Sequence, residues 1–159
     1  MPSLARQIST AEFGALYERF SPYVHAILIA KLPPAQVEDI LQDVFADAWR
    51  KIEQLHSLEA FGPWIAAIAR NKAADFYRRR MRSIALDEVR EASVPPVQDP
   101  ILAALQRLPE AYQETLSLRF IEGLTGPEIA ALTGLTHGSV RVNLTRGVKM
   151  LREIMGVEV

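Results

Sequence analysis

Apolar residues recur at intervals of three and four along most of the chain, which is the spacing of one face of an α-helix. The clearest run consists of Val37, Ile40, Leu41, Val44, Phe45, Ala48 and Ile52. An earlier helix opens at the capping-box pattern Ser9-Thr10-Ala11-Glu12, and a later one begins at Phe61 and ends among arginines. No segment shows the alternation of a β-strand. We therefore predict a first helical domain over Met1–Arg82.

The helical period is interrupted over residues 83–99, which contain two adjacent prolines and several acidic residues. This composition predicts a flexible acidic linker. The apolar period resumes over residues 101–108, and two further helices are predicted over Gly126–Leu132 and His137–Ile154. The sequence thus predicts an all-α fold of two small helical domains, the second over Pro100–Val159.

Charge is separated along the chain although the net charge is only −1. Six basic residues and one acid lie in residues 62–82, and four basic residues and no acid lie in residues 137–152. The sign reverses in residues 36–54, where five acids stand against two basic residues. Such separation indicates that different surfaces bind different partners.

The residue types that most catalytic sites need are missing or isolated. Cysteine is absent, and His25, His56 and His137 have no partner residues at catalytic or metal-binding spacing. We predict that the protein is not an enzyme and has no cofactor and no metal. The chain also lacks an apolar run of about eighteen residues, and its start lacks the apolar stretch of a signal peptide. We expect a cytoplasmic protein without a membrane span.

A helix-turn-helix pattern lies near the end of the chain. Ala130, Gly134 and Val140 have the spacing of the small residue, the turn glycine and the core residue of that motif. The second helix would present its outward face to the major groove of DNA. That face is predicted to hold Ser139, Arg141, Val142, Thr145, Arg146 and Lys149. The alternative is an ordinary helical hairpin with a solvated basic face.

A second basic segment ends the third predicted helix. It contains Arg78, Arg79 and Arg80, with Phe76 and Tyr77 directly before them. Basic and aromatic side chains on one helix suit single-stranded or unstacked bases. Cations are also favoured at any helix C-terminus by the helix dipole, so a solvated helix end is the alternative.

Three segments resemble the extracytoplasmic-function (ECF) class of bacterial sigma factors, in the order that this family has them. VEDILQDVFADAWRKI, residues 37–52, resembles the region that binds the polymerase clamp. FGPWIAAIARNKAADFYRRR, residues 61–80, resembles the promoter-melting helix, and residues 104–153 resemble the second conserved domain. The resemblance implies a region 2 helical bundle and a region 4 helix-turn-helix.

The resemblance also implies roles for single residues. Those that would dock on the β′ clamp coiled coil are Asp39, Gln42, Asp43, Phe45 and Trp49. Those that would contact the minus-ten element are Leu55, His56, Trp64, Asn71, Lys72, Arg78, Arg79 and Arg80. The outward face of the last helix would bind the minus-thirty-five element. The implied partners are core RNA polymerase, through its β′ clamp and β flap, promoter DNA in duplex and single-stranded form, and an anti-sigma factor.

The chain departs from the family pattern at a few positions. Leu55 stands where the base-capturing loop often has an aromatic residue, and Asn143 and Val148 stand where the last helix often has cations. Because each lost phosphate contact weakens DNA binding, we expect a weaker or divergent minus-thirty-five contact. Two other functions remain open: a helix-turn-helix regulator that does not engage polymerase, and a decoy that occupies polymerase without opening DNA.

Overall fold

A computed structural model describes residues 8–86 and 97–157. Within these ranges the chain forms seven α-helices and two short 3₁₀ helices, Ile52–Gln54 and Leu58–Ala60, and no strand. The α-helices are α1 (Thr10–Ile29), α2 (Pro34–Lys51), α3 (Phe61–Leu86), α4 (Pro100–Leu105), α5 (Glu110–Phe120), α6 (Gly126–Thr133) and α7 (His137–Met155). The predicted all-α fold is confirmed.

Helices α1, α2 and α3 pack on one another as the first domain. The Ser9 hydroxyl caps α1 by accepting a hydrogen bond from the backbone of Glu12, as the capping-box pattern predicts. The periodic apolar face of α2 is buried against α1 and α3, with Val44 fully buried. None of the helices in the described ranges combines the length and apolarity that a membrane span requires.

The end of α3 differs from the prediction. The helix continues to Leu86 rather than ending at Arg82, so it takes up the start of the predicted linker. The physical reason is that residues 83–86 contain neither proline nor glycine, and an established helix extends at little cost through such residues. Residues 87–96 of the predicted linker lie outside the described residues. Asp99 then caps α4 by accepting hydrogen bonds from Ile101 and Leu102.

Helices α4 to α7 form the second domain around buried leucines of α4 and α5. Gly147 lets α7 approach α5 closely, because a β-carbon built there would lie 3.0 Å from Leu116 Cδ1.

The two domains are packed against each other. Helix α5 lies on α1, and α6 contacts both α1 and α3. The main hydrophobic core is therefore continuous, and it includes Leu118, Ile129 and Val140 of the second domain beside the residues of the first. The sequence indicated two domains and a linker, but it did not predict that they dock.

Candidate polymerase and promoter interfaces

The outward face of α2 presents the acidic side chains that the sequence places there. Asp39, Gln42, Asp43 and Trp49 are all exposed. The Trp49 ring is 42% exposed and meets Phe13 of α1 edge to face, with ring centroids 4.9 Å apart. This contact orients an aromatic side chain at the edge of the acidic face, an arrangement suited to a protein partner.

Phe45 does not belong to that face. Its side chain is 4% exposed and packs on Tyr17 of α1, with ring centroids 4.6 Å apart. Its position follows from the helical period, because Phe45 lies one turn from buried Leu41 and next to buried Val44. In this structure Phe45 supports α2 from inside and does not contact solvent.

Asp47 is the acid of α2 that faces inward. Its carboxylate lies 2.9 Å from Lys51 Nζ and 3.0 Å from Arg50 Nη2. Lys72 of α3 lies at 3.9 Å. The hydrogen bond from Lys51, helped by Arg50 and Lys72, outweighs burial and lowers the pKa of Asp47. The sequence analysis did not single out this residue, which forms an ion pair with Lys72 across the contact between α2 and α3.

The predicted DNA-contacting residues of the segment between α2 and α3 differ in their exposure to solvent. Leu55 is 4% exposed and belongs to the core, whereas His56 is exposed. Ser57 orders the turn after them, because its hydroxyl accepts a hydrogen bond from the backbone of Glu59. Trp64 is half-buried, with its ring centroid 5.8 Å from that of Phe61.

The polar residues of α3 that are predicted to contact the minus-ten element divide into two groups. Asn71, Arg78 and Arg79 are exposed, and Lys72 and Arg80 are half-buried. Arg78 pairs with Asp75 one turn earlier. Arg70 belongs to neither group, because its guanidinium pairs with Glu114 of the second domain. The sequence pattern could not separate Arg70 from the others, since the division depends on where the second domain lies.

The helix-turn-helix has the geometry that its residues predict. Gly134 ends α6 in the left-handed conformation with φ of 79°, and Thr136 caps α7. Ala130 and Val140 are 9% and 1% exposed, so they form the contact between the two helices. The residues predicted to read DNA are all exposed: Ser139, Arg141, Val142, Thr145, Arg146 and Lys149.

The two positions that lack family cations lie off this exposed face. Asn143 is half-buried and donates a hydrogen bond to the Thr115 hydroxyl of α5 at 3.3 Å. Val148 is half-buried against the core of the second domain. Their side chains hold α7 on its domain and leave the exposed basic residues of α7 in place. The expectation of a weaker or divergent minus-thirty-five contact stays a prediction.

An apolar groove of about 380 Å³ lies between α4, α5 and α7. Phe120 and Ile101 on its walls are 63% and 58% exposed, and Ile121 and Met155 are partly exposed as well. The sequence analysis missed it. The available signal was the pair Phe120-Ile121, two large apolar residues at a helix end.

Comparisons with known proteins agree with the order of these surfaces. The family model described as sigma-70 region 2 matches residues 16–83, and that described as sigma-70 region 4 matches residues 98–151. The chain is 30% identical to RNA polymerase sigma factor CarQ of Myxococcus xanthus, over 91% of this chain and 89% of that protein. It is 31% identical to ECF RNA polymerase sigma factor RpoE of Cereibacter sphaeroides, over 91% and 87%. The chain belongs to the ECF sigma factors.

As an ECF sigma factor, the protein binds core RNA polymerase and directs it to promoters. A solved structure of CnrH in complex with the cytosolic domain of CnrY has a similar fold. Its TM-score is 0.56 at 26% identity, covering 96% of this chain and 92% of that one. The Bartonella quintana sigma factor RpoE, solved with the anti-sigma factor NepR, has a TM-score of 0.58 at 24% identity, covering 93% and 99%.

Ion pairs join the two regions of this sigma factor, and no sequence motif indicated them. Arg70 of α3 donates to both carboxylate oxygens of Glu114 on α5, at 3.0 and 2.7 Å. Lys31, just after α1, lies 2.7 Å from the same carboxylate. His25 Nδ1 lies 2.6 Å from Glu122, two residues after the other end of α5. Residues remote in sequence thus form one polar seam between the domains.

Proposed function

We propose that the acidic face of α2 is the main docking surface for core RNA polymerase. Asp39, Asp43 and Trp49 are exposed together on one side of the helix, whose opposite side is fixed in the core. An exposed acidic face with one aromatic side chain suits a basic helical surface such as the β′ clamp coiled coil. In this role Phe45 acts indirectly, by holding α2 in place.

The exposed side of α3 and the segment before it bind the minus-ten element in this proposal. His56, Asn71, Arg78 and Arg79 are exposed, and Lys72 and Arg80 are accessible in part. The cationic side chains bind the phosphate backbone of the DNA. Trp64 and the neighbouring aromatic residues offer ring faces on which unstacked bases can stack. Leu55 is buried, so it shapes the loop rather than touching DNA in this conformation.

Helix α7 reads the minus-thirty-five duplex. Arg141 and Arg146 have the donor geometry to bind guanine, and Lys149 and Ser139 are placed to bind phosphates. This exposed basic face on the second helix of a helix-turn-helix is the observation that carries the DNA-binding half of the proposal.

The apolar groove of the second domain is assigned to the polymerase β flap. Val148, Leu151 and Met155 line it from α7. At 100° per residue they lie on a different side of α7 from Arg146 and Lys149. A flap segment in the groove would therefore leave Arg146 and Lys149 free to bind DNA, so that polymerase and duplex are held together.

An anti-sigma factor is a further proposed partner. The similar sigma factor from Bartonella quintana was solved with one, and the exposed apolar groove of this chain would suit an apolar helix of such a protein. Affinity purification from the native host tests this part. Recovery of polymerase with no other stoichiometric protein would contradict it.

The deciding experiment is transcription of fragmented genomic DNA by core polymerase of the native host plus this protein, with sequencing of transcript 5′ ends. We expect new start sites that share two upstream elements, with catalysis supplied by the cytoplasmic polymerase. The charge reversal Asp43→Lys should abolish those starts, and Glu18→Lys on the exposed surface of α1 is the matched control. No new starts would favour the duplex-only regulator, or the decoy if the protein still co-elutes with polymerase.

A further inference from the structure

A polar cleft of about 420 Å³ lies between the last turn of α2 and the middle of α3. Cations outnumber carboxylates on its walls, which carry Lys51, Lys72, Arg78, Asp47 and Asp75. The uncharged residues of the lining are Ile68 and Asn71. Lys72, Arg78 and Asn71 belong to the proposed minus-ten surface, whereas Lys51 of α2 has no role in it. The cleft therefore brings a cation of α2 to the face of α3 that is proposed to bind DNA.

The ammonium groups of Lys51 and Lys72 come from different helices and meet at one carboxylate oxygen. Asp47 Oδ2 lies 2.9 Å from Lys51 Nζ and 3.9 Å from Lys72 Nζ. Because both distances end at the same atom, the two nitrogens are at most about 7 Å apart. A phosphate group can bridge two ammonium groups at that separation, since each of its oxygens accepts a charge-assisted hydrogen bond of about 2.8 Å.

Both lysines keep hydrogen-bond donors for a ligand. An ammonium group has three N–H donors, and the contact with Asp47 uses at most one of them. The side chains of Lys51 and Lys72 are 49% and 28% exposed, whereas that of Asp47 is 11% exposed. The carboxylate is thus largely covered, while the ammonium groups reach solvent. Because one carboxylate cannot neutralise two ammonium groups, this part of the cleft keeps positive charge for an anion.

Arg50, the residue before Lys51, is a natural comparison. Its guanidinium contacts the other oxygen of Asp47, Oδ1, at 3.0 Å, and its side chain is 66% exposed. It does not belong to the lining of the cleft. Exposure alone would therefore favour Arg50 as a DNA contact, whereas the geometry of the cleft favours Lys51.

We propose that Lys51 and Lys72 together bind one backbone phosphate of the minus-ten strand in this cleft. The inference rests on the proposed function of α3 and adds to it a cation from α2. Helix α2 then serves two partners, because its exposed acids face the polymerase and its last residue binds DNA. Lys51 lies eight residues after Asp43. At about 1.5 Å per residue this is about 12 Å along the helix axis, so the partners contact separate parts of α2.

The test measures binding of the full chain to a fluorescent single-stranded oligonucleotide of mixed sequence, because backbone contacts carry no sequence information. Anisotropy titrations at several salt concentrations give the affinity and its salt slope. Lys51→Ala should weaken binding about fivefold at moderate salt, the loss expected for one solvent-exposed ion pair. The salt slope of this variant should fall by up to about 0.7, the value per phosphate for a single strand. An unchanged affinity and slope would overturn the proposal.

Arg50→Ala is the matched control. It removes the same charge from the neighbouring residue and breaks an ion pair with the same carboxylate, so its effect on stability should be similar. Because salt screens an exposed charge that makes no direct contact, Arg50→Ala should weaken binding less than about twofold. Equal losses in Lys51→Ala and Arg50→Ala would overturn the proposal, since the cleft would then contribute no more than the charge of the surface as a whole.

The combination of Lys51→Ala with Lys72→Ala tests whether the two lysines share one phosphate. Losses at residues that share a partner are not additive. The double variant should therefore lose less affinity than the product of the two single losses. A loss equal to that product would place the lysines on separate phosphates and overturn the shared site.

Failure of the proposed function has another signature, which Arg79→Ala reports. Arg79 is exposed on α3 but does not line the cleft. If Arg79→Ala weakens binding of the oligonucleotide and Lys51→Ala does not, the cleft proposal alone is wrong. If neither substitution changes the affinity, the proposed role of α3 in binding the minus-ten strand fails together with the cleft proposal.

Discussion

Replacing Glu114 with glutamine removes one charge from the seam and keeps the side-chain volume. In the structure this carboxylate accepts three hydrogen bonds from Arg70 and Lys31, both in the first domain. The substitution leaves Lys31 15% exposed and without its closest counter-ion. The substitution should therefore reduce the free energy of docking between the domains rather than the stability of either domain alone.

The size of the effect follows from burial. Removing one partner of a buried ion pair typically costs about 3–5 kcal/mol. Arg70 is 35% exposed, so solvent screens its share, and about 2–4 kcal/mol of docking free energy is the expected loss. Glu110→Gln is the matched control on the same helix, because Glu110 contacts the same two cations but is 57% exposed. Its expected cost is below about 1 kcal/mol.

Urea unfolding measures this loss with two signals. Both tryptophans, Trp49 and Trp64, lie in the first domain, so their fluorescence reports that domain, whereas circular dichroism reports helices of both. Coincident transitions indicate one cooperative unit. We expect coincidence in the unmodified protein and in Glu110→Gln, and separate transitions in Glu114→Gln. Coincident transitions at an unchanged midpoint in Glu114→Gln would refute the reasoning.

Three further predictions concern pH, DNA and polymerase. The hydrogen bond that His25 donates to the Glu122 carboxylate raises the pKa of His25 against the opposing effect of burial, with a smaller contribution from Glu38. Docking should therefore be strongest below about pH 6.5 and weaken as pH rises through the raised pKa, and His25→Gln should remove that pH dependence from the urea unfolding midpoint. Arg146→Ala should weaken binding of a minus-thirty-five duplex and lower the salt slope by about 0.9 if it contacts one phosphate; an unchanged affinity would exclude this residue. Asp43→Lys should abolish co-elution with core polymerase but leave duplex binding intact, and retained co-elution would move the docking site elsewhere.

Local patterns were sufficient for the helices and for the helix-turn-helix. The period of α2 and the spacing of Ala130, Gly134 and Val140 are properties of neighbouring residues, and the structure confirms the helices and the turn that they predict. The exposed acidic face of α2 follows from the same period. The end of α3 was less predictable, because helix termini depend on small differences in free energy.

Tertiary structure decided which members of each pattern are available to a partner. Phe45 and Leu55 have the sequence positions of contact residues but lie in the core, and Arg70 leaves the basic group of α3 for Glu114. The pairing of Arg70 with Glu114 joins residues 44 positions apart in the chain.

The sequence by itself therefore determined the helices, the family and the charge of each helix face, since these depend on residue types within a few turns. Only the tertiary structure decided that the two domains dock, because docking depends on long-range complementarity: the carboxylates of α5 against Lys31 and Arg70, and the close approach at Gly62. No periodicity encodes which distant faces meet.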